Sequence, residues 1–105
     1  MAYVMALAAL ADPTRRAVFE RLRHGPKGVG EIAANLPVSR PAVSQHLKVL
    51  KAAGLVADEA RGTARIYRIH ADGLRELRDW LDSFWGEALA AYKTRAEAGA
   101  EGDEP

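Results

Sequence analysis

Only two residues, Pro37 and Val38, stand between Leu36, which ends one apolar helical stripe, and Ser39, which opens the next. The first stripe is Val29, Ile32, Ala33 and Leu36, spaced i, i+3, i+4 and i+7 as one face of a short helix requires. The second is Val43, Leu47 and Leu50, with Ser39 as its cap and Ala53-Gly54 as its stop. So short a connection makes the pair a helix-turn-helix.

The flanking segments extend this unit in a definite order. Asp12-Pro13 supplies a cap and a first-turn proline, and His24-Gly25-Pro26 supplies a stop, so a helix lies between them with Val18, Phe19 and Leu22 on one face. Arg15, Arg16 and Arg23 fall largely off that face. After the second helix of the pair, Leu55 to Arg61 and Ala64 to His70 read as extended stretches parted by Gly62-Thr63, a hairpin. From about Asp72 the spacing turns helical again through Leu74, Leu77, Leu81, Phe84 and Ala88. Beyond Arg95, Gly, Ala, Glu and Asp follow without apolar periodicity, which predicts an acidic flexible tail over 96–105. The expected fold is mainly α with a small β-hairpin, in the order α-α-α-α-β-β-α, a winged helix-turn-helix filling residues 1–95 as one domain.

Charge is distributed unevenly along this order. Between Pro13 and His70 eleven Lys or Arg stand against four acids, whereas Ala71 to Pro105 holds four against nine, and the net charge of +1 hides the contrast. An Arg-rich face can be mere solvated charge, but here the basic stretch coincides with the helix pair and the hairpin. The chain has no cysteine, which excludes disulfides, a thiolate nucleophile and thiolate metal ligation. No apolar run is long enough to span a bilayer, and the apolar start from Met1 to Ala11 lacks a basic leader, so a cytoplasmic protein without membrane attachment is expected.

Each residue advances about 100° around a helix. With Val43, Leu47 and Leu50 inward, Pro41, Ser44, Gln45 and Lys48 point outward and Ser39 and Arg40 sit at the N-terminal end, all of them candidates for DNA contact. An ordinary amphipathic helix also shows polar residues to water; basic context favours double-stranded DNA as the partner. The Gln45 amide suits adenine, Ser44 serves as donor or acceptor, Arg40 suits guanine or phosphate and Lys48 suits phosphate. His46, beside the inward stripe, either packs at the helix edge or reaches the DNA backbone. At the hairpin, Arg61, Arg65 and Arg68 cluster around Gly62, with Arg61 and Arg65 the stronger candidates for phosphate or minor-groove contact and solubilising charge the alternative.

Three runs carry a family resemblance: Asp12-Pro-Thr-Arg-Arg, then Ser39-Arg-Pro-Ala-Val-Ser-Gln-His-Leu-Lys-Val-Leu-Lys-Ala-Ala-Gly-Leu-Val, then Arg65-Ile-Tyr-Arg-Ile. In these the chain resembles bacterial ArsR/SmtB-type repressors over nearly its whole length up to the tail. The resemblance implies a homodimer joined by its first and last helices, with Ser44 and Gln45 at the groove-facing positions. It also exposes a departure, because the cysteine motif of metal-sensing members is replaced by Gly30-Glu-Ile-Ala-Ala-Asn. Other members bind metal through the last helix, yet no histidine follows His70, and the acids there read as solvated pairs such as Arg75 with Asp79. His24, His46 and His70 lie on different elements without ligand spacing. The chain resembles the metal-independent branch, with no metal and no cofactor expected.

No nucleophile and base, phosphate-binding glycine loop or metal constellation marks an enzyme. The expected function is therefore a sequence-specific DNA-binding regulator, a repressor or autorepressor on an inverted-repeat operator. Two alternatives remain: a winged-helix module that binds protein instead of DNA, and a repressor released by an unknown small molecule held near Trp80, Phe84 and Trp85. Apolar residues at both ends exceed what one small domain buries, and Leu7, Leu10, Leu77, Leu81, Phe84 and Trp85 are the candidates for a dimer seam, with the protomer core as their other possible place.

Overall fold

A computed structural model describes residues 2–102 of the chain. Its elements run α1 (Ala2–Ala11), α2 (Pro13–Glu20), β1 (Lys27–Gly28), α3 (Val29–Ala34), α4 (Arg40–Ala52), β2 (Val56–Arg61), β3 (Ala64–Ile69) and α5 (Ala71–Gly102). The helices and the hairpin fall where the spacing placed them. Asp12 caps α2 by accepting from the amides of Thr14 and Arg15 at 2.9 and 3.0 Å, and the Ser39 hydroxyl accepts from the Ala42 amide at 3.3 Å. The weakly marked start of α3 has its own device: the Glu31 carboxylate reaches back to accept from the Gly28 amide at 3.1 Å. Arg15 and Arg16 of α2 turn back to donate to the Ala9 and Leu10 carbonyls, satisfying acceptors that the end of α1 leaves open.

Two features differ from expectation. The sheet has three strands in the order β1-β3-β2, because Lys27 and Gly28 pair antiparallel with Tyr67 and Ile66. A two-residue strand has no period to read and exists only because the fold brings it beside β3. The second difference is the length of α5, which continues to Gly102 past the boundary read at Arg95. Its closing stretch is rich in Ala and Glu, strong helix formers that need no buried face to favour the conformation. The rest of the expected tail, residues 103–105, lies outside the described residues, as does Met1 at the other end.

The core is built at the centre of the helix-turn-helix. Val18, Ile32, Val43, Leu47, Leu50 and Leu55 are fully buried, joined by Ala6 and Ala9 of α1, Phe19, Leu22, Val56 and Tyr67. Each large aliphatic side chain so buried contributes about 1.5 to 3 kcal/mol. Leu10, Leu74 and Leu77 pack against this cluster from its edge. Two of the seam candidates, Leu10 and Leu77, are thus partly buried against the edge of the protomer core.

The segment after α4 and the root of α5 meet backbone to backbone. Gly54, at φ 76°, follows the end of α4, and its carbonyl accepts from the Gly73 amide at 3.0 Å. A Cβ at Gly73 would collide with the Gly54 carbonyl. Tyr3 of α1 stacks on Trp80 of α5 at 5.2 Å, and Trp80 meets Phe84 edge to face at 5.0 Å.

Candidate nucleic-acid interface

Helix α4 presents one face to solvent because Val43, Leu47 and Leu50 on the other are wholly buried. Pro41, Gln45 and Lys48 are exposed in the orientation their spacing predicts, while Ser44 is half-buried at the side of the helix. Ser39 is engaged as the cap. Arg40 lies exposed at the N-terminal end with its guanidinium against α3, where a side chain at Gly30 would come within 3.0 Å of it. Gly30 therefore makes room for Arg40. The exposed amide, ammonium and guanidinium occupy a ridge from which a helix reads base edges and touches phosphate.

His46 is half-buried and faces α2. The Asp12 carboxyl is held below the usual carboxylate range chiefly by the Arg15 amide, with the Thr14 amide and the charges of Arg15 and His46 adding to the effect. The imidazole thus lies within electrostatic reach of the Asp12 cap.

The hairpin turns at Gly62, whose φ of 65° is the left-handed conformation that glycine adopts without strain. Its register pairs Ala57 with Arg68, Asp58 with Tyr67, Glu59 with Ile66, Ala60 with Arg65 and Arg61 with Ala64. Alternation then separates the three arginines, with Arg61 and Arg68 on one face of the ribbon and Arg65 on the other, beside Tyr67. They do not form the single cluster expected around the turn. Arg61 is exposed and lies 3.5 Å from Glu59. Arg65 donates from Nε to Asp58 Oδ2 at 2.7 Å, and Lys51 Nζ of α4 lies 2.8 Å from Asp58 Oδ1. The bonds from Lys51 and then Arg65 hold the Asp58 carboxyl below its ordinary range, and the same carboxylate pushes Arg65 up. Asp58 was not among the sequence candidates. Its only signal was the i, i+7 spacing from Lys51 and from Arg65, which becomes meaningful once the register is known.

On α5, Leu81, Phe84, Trp85, Leu89 and Tyr92 are exposed at helical spacing, together with Val4, Met5 and Leu7 on α1. A hollow of about 470 Å³ lies against Leu81, Asp82, Phe84 and Trp85, at the place considered for a small molecule. The acids of α5 pair differently from expectation: Arg75 binds Asp72 at 3.2 Å and Asp79 lies 3.7 Å from Arg78. Among the described residues no group of three or more His, Asp or Glu is placed to hold a metal ion, and no helix is long and apolar enough to cross a membrane.

Two helices joined by a tight turn, the second exposed along a polar ridge and followed at once by a hairpin, define a winged helix-turn-helix regulator. A family model described as a helix-turn-helix domain matches residues 10–59. The chain is 58% identical over 96 residues to the HTH-type transcriptional regulator Rv2034 of Mycobacterium tuberculosis, spanning 91% of this chain and 88% of that one. It is 33% identical over 76 residues to the transcriptional repressor SdpR of Bacillus subtilis, covering 72% of this chain and 84% of the relative. Among solved structures, the homodimeric winged helix-turn-helix DNA-binding domain of Mb0332 from Mycobacterium bovis, a possible ArsR-family regulator, superposes with a TM-score of 0.65 at 28% identity, over 84% of this chain and 82% of that one. The chain belongs to the ArsR/SmtB family of helix-turn-helix transcriptional regulators. It is a regulator of transcription and not an enzyme.

Proposed function

We propose that the protein is a cytoplasmic repressor that binds an inverted-repeat operator as a homodimer, each protomer laying α4 in the major groove. The observation that carries this reading is the phase of α4, which buries Val43, Leu47 and Leu50 and leaves Pro41, Gln45 and Lys48 outward. In the groove Gln45 reads a base edge through its amide, Lys48 and Arg40 neutralise phosphate, and Ser44 contacts the groove wall beside them. Arg61 of the wing meets the backbone next to the helix. The repressor name of the Bacillus subtilis relative and the homodimer of the Mycobacterium bovis neighbour support the same assignment.

The dimer is supported by the apolar residues that the protomer leaves uncovered. Leu81, Phe84 and Trp85 on α5 and Leu7 on α1 are exposed, and a two-fold partner covers such a self-complementary surface. Selection of bound sequences from random duplexes, followed by titration of the winning sequence at several salt concentrations, tests the whole reading. The expected result is an enriched inverted repeat, bound with a steep dependence on salt. Recovery of no sequence, or binding indifferent to salt, refutes it.

A further inference from the structure

Asp58 carries the least exposed carboxylate among the described residues, its side chain 6% accessible, against 41% for Asp12. It is the cross-strand partner of Tyr67, on the same face of the ribbon, at the edge of the core. A carboxylate withdrawn from water to that extent needs charged partners. It has two, drawn from different elements: Lys51 from the last turn of α4 and Arg65 from β3, at 2.8 and 2.7 Å. Both cations remain half in solvent, 54% accessible each. One largely shielded carboxylate thus ties the end of the groove-facing helix to the wing.

The arrangement is unfavourable for simple attraction to DNA, since it places a negative charge beside two cations on the basic side of the molecule. What it supplies is geometry. Non-specific binding asks only for positive charge near phosphates, whereas sequence reading requires Gln45 to meet its base edge while the wing rests on the backbone. That simultaneous fit depends on the pitch of the wing relative to α4.

We propose that Asp58 is a positioning residue for operator recognition, which fixes the wing to α4 through Lys51 and Arg65 and converts those two cations from phosphate ligands into struts. This rests on the repressor reading above. Arg65, a DNA contact by its sequence position, is thereby reassigned to holding the wing, and Arg61 and Arg68 on the opposite face are left to meet the backbone.

The test compares wild type with Asp58→Asn, Asp58→Glu and Arg65→Gln, measuring affinity for the selected inverted repeat and for a scrambled duplex over a salt series. Asp58→Asn releases Lys51 and Arg65. It should bind the scrambled duplex more tightly and with a salt slope steeper by up to about 0.9 for each released cation, yet discriminate the operator on the order of tenfold less well. Asp58→Glu keeps the charge and should recover part of the discrimination. Arg65→Gln should lose discrimination while its salt slope on the scrambled duplex stays at the wild-type value, and it keeps the question open to test even if Asp58→Asn does not fold. The proposal is overturned if Asp58→Asn leaves discrimination intact, or if Arg65→Gln weakens both duplexes alike and lowers the slope by about 0.9 per protomer, the mark of a plain phosphate contact. Absence of salt-dependent duplex binding by the wild-type chain overturns the repressor reading itself, a result separable from either.

Discussion

Through the body of the molecule apolar side chains close on one another, with Ile32, Leu47 and Leu50 wholly out of water, whereas along the outer part of α5 Leu81, Phe84, Trp85, Leu89 and Tyr92 stand between 52% and 67% exposed. Both regions carry the same kinds of residue at the same helical spacing. The difference lies in what surrounds them: the body folds α1 to α4 and the sheet around its stripe, and the outer part of α5 extends past every element that might cover it, in a molecule 68 Å long and 26 Å wide. Periodicity specifies a face that is to be buried, and topology decides whether the protomer buries it alone.

The contrast is sharpest under truncation of the core. Leu47→Ala should lower protomer stability by about 2 to 5 kcal/mol, the usual cost of a cavity at a fully buried leucine, as read from urea unfolding at fixed protein concentration. A loss below 1 kcal/mol would mean that the body relaxes around the gap and is not tightly closed. Next in size, Leu81→Asp should leave the secondary structure in place but abolish self-association at micromolar concentration in sedimentation. Operator affinity should drop on the order of a hundredfold, because two half-sites no longer bind as one. A wild-type monomer that holds a half-site as tightly as the full repeat would remove the distinction between the two regions.

A third prediction divides the polar ridge of α4. Gln45→Ala should relax preference at one position in each half-site at a cost of roughly 1 to 3 kcal/mol, and an unchanged selected motif would show that the helix enters the groove in another phase. Lys48→Ala should weaken every duplex alike and reduce the salt slope by about 0.9 per protomer. The smallest effect concerns acid. The folded state holds Asp58 and Asp12 below their ordinary range, so their contribution to stability is complete above an unfolded value of about 4 and disappears as pH falls through the folded values. Urea midpoints should therefore be level from neutral pH to about 5 and decline below about 4, with a shallower decline in Asp58→Asn. An equally steep decline in that variant would assign the acid sensitivity to other carboxylates.

Much of this was legible in the residues themselves. Asp12, Ser39 and Gly54 mark helix ends through local chemistry that acts within a few residues, and the inward stripe of α4 needs only the helical period. What escaped depends on distance across the fold. β1 exists because Lys27 and Gly28 meet β3, the Asp58 bonds follow from a strand register, and the separation of Arg65 from Arg61 and Arg68 follows from the same alternation. Leu77 and Leu81 are neighbours on one stripe, and nothing local distinguishes the one that packs on the core from the one that does not. The helical run of α5 beyond Arg95 was hidden for a different reason: it has no apolar period, and its Ala and Glu, which favour helix in water, alternate with Gly99 and Gly102, which do not.

The backbone crossing of Gly54 and Gly73 gives the long last helix a mechanical meaning. A side chain wedged between two helices has rotamers that take up a small displacement, and two glycines in direct contact have none. The closeness of this crossing therefore leaves no space for a side chain at Gly73, and any residue larger than glycine there would push the root of α5 away from Gly54.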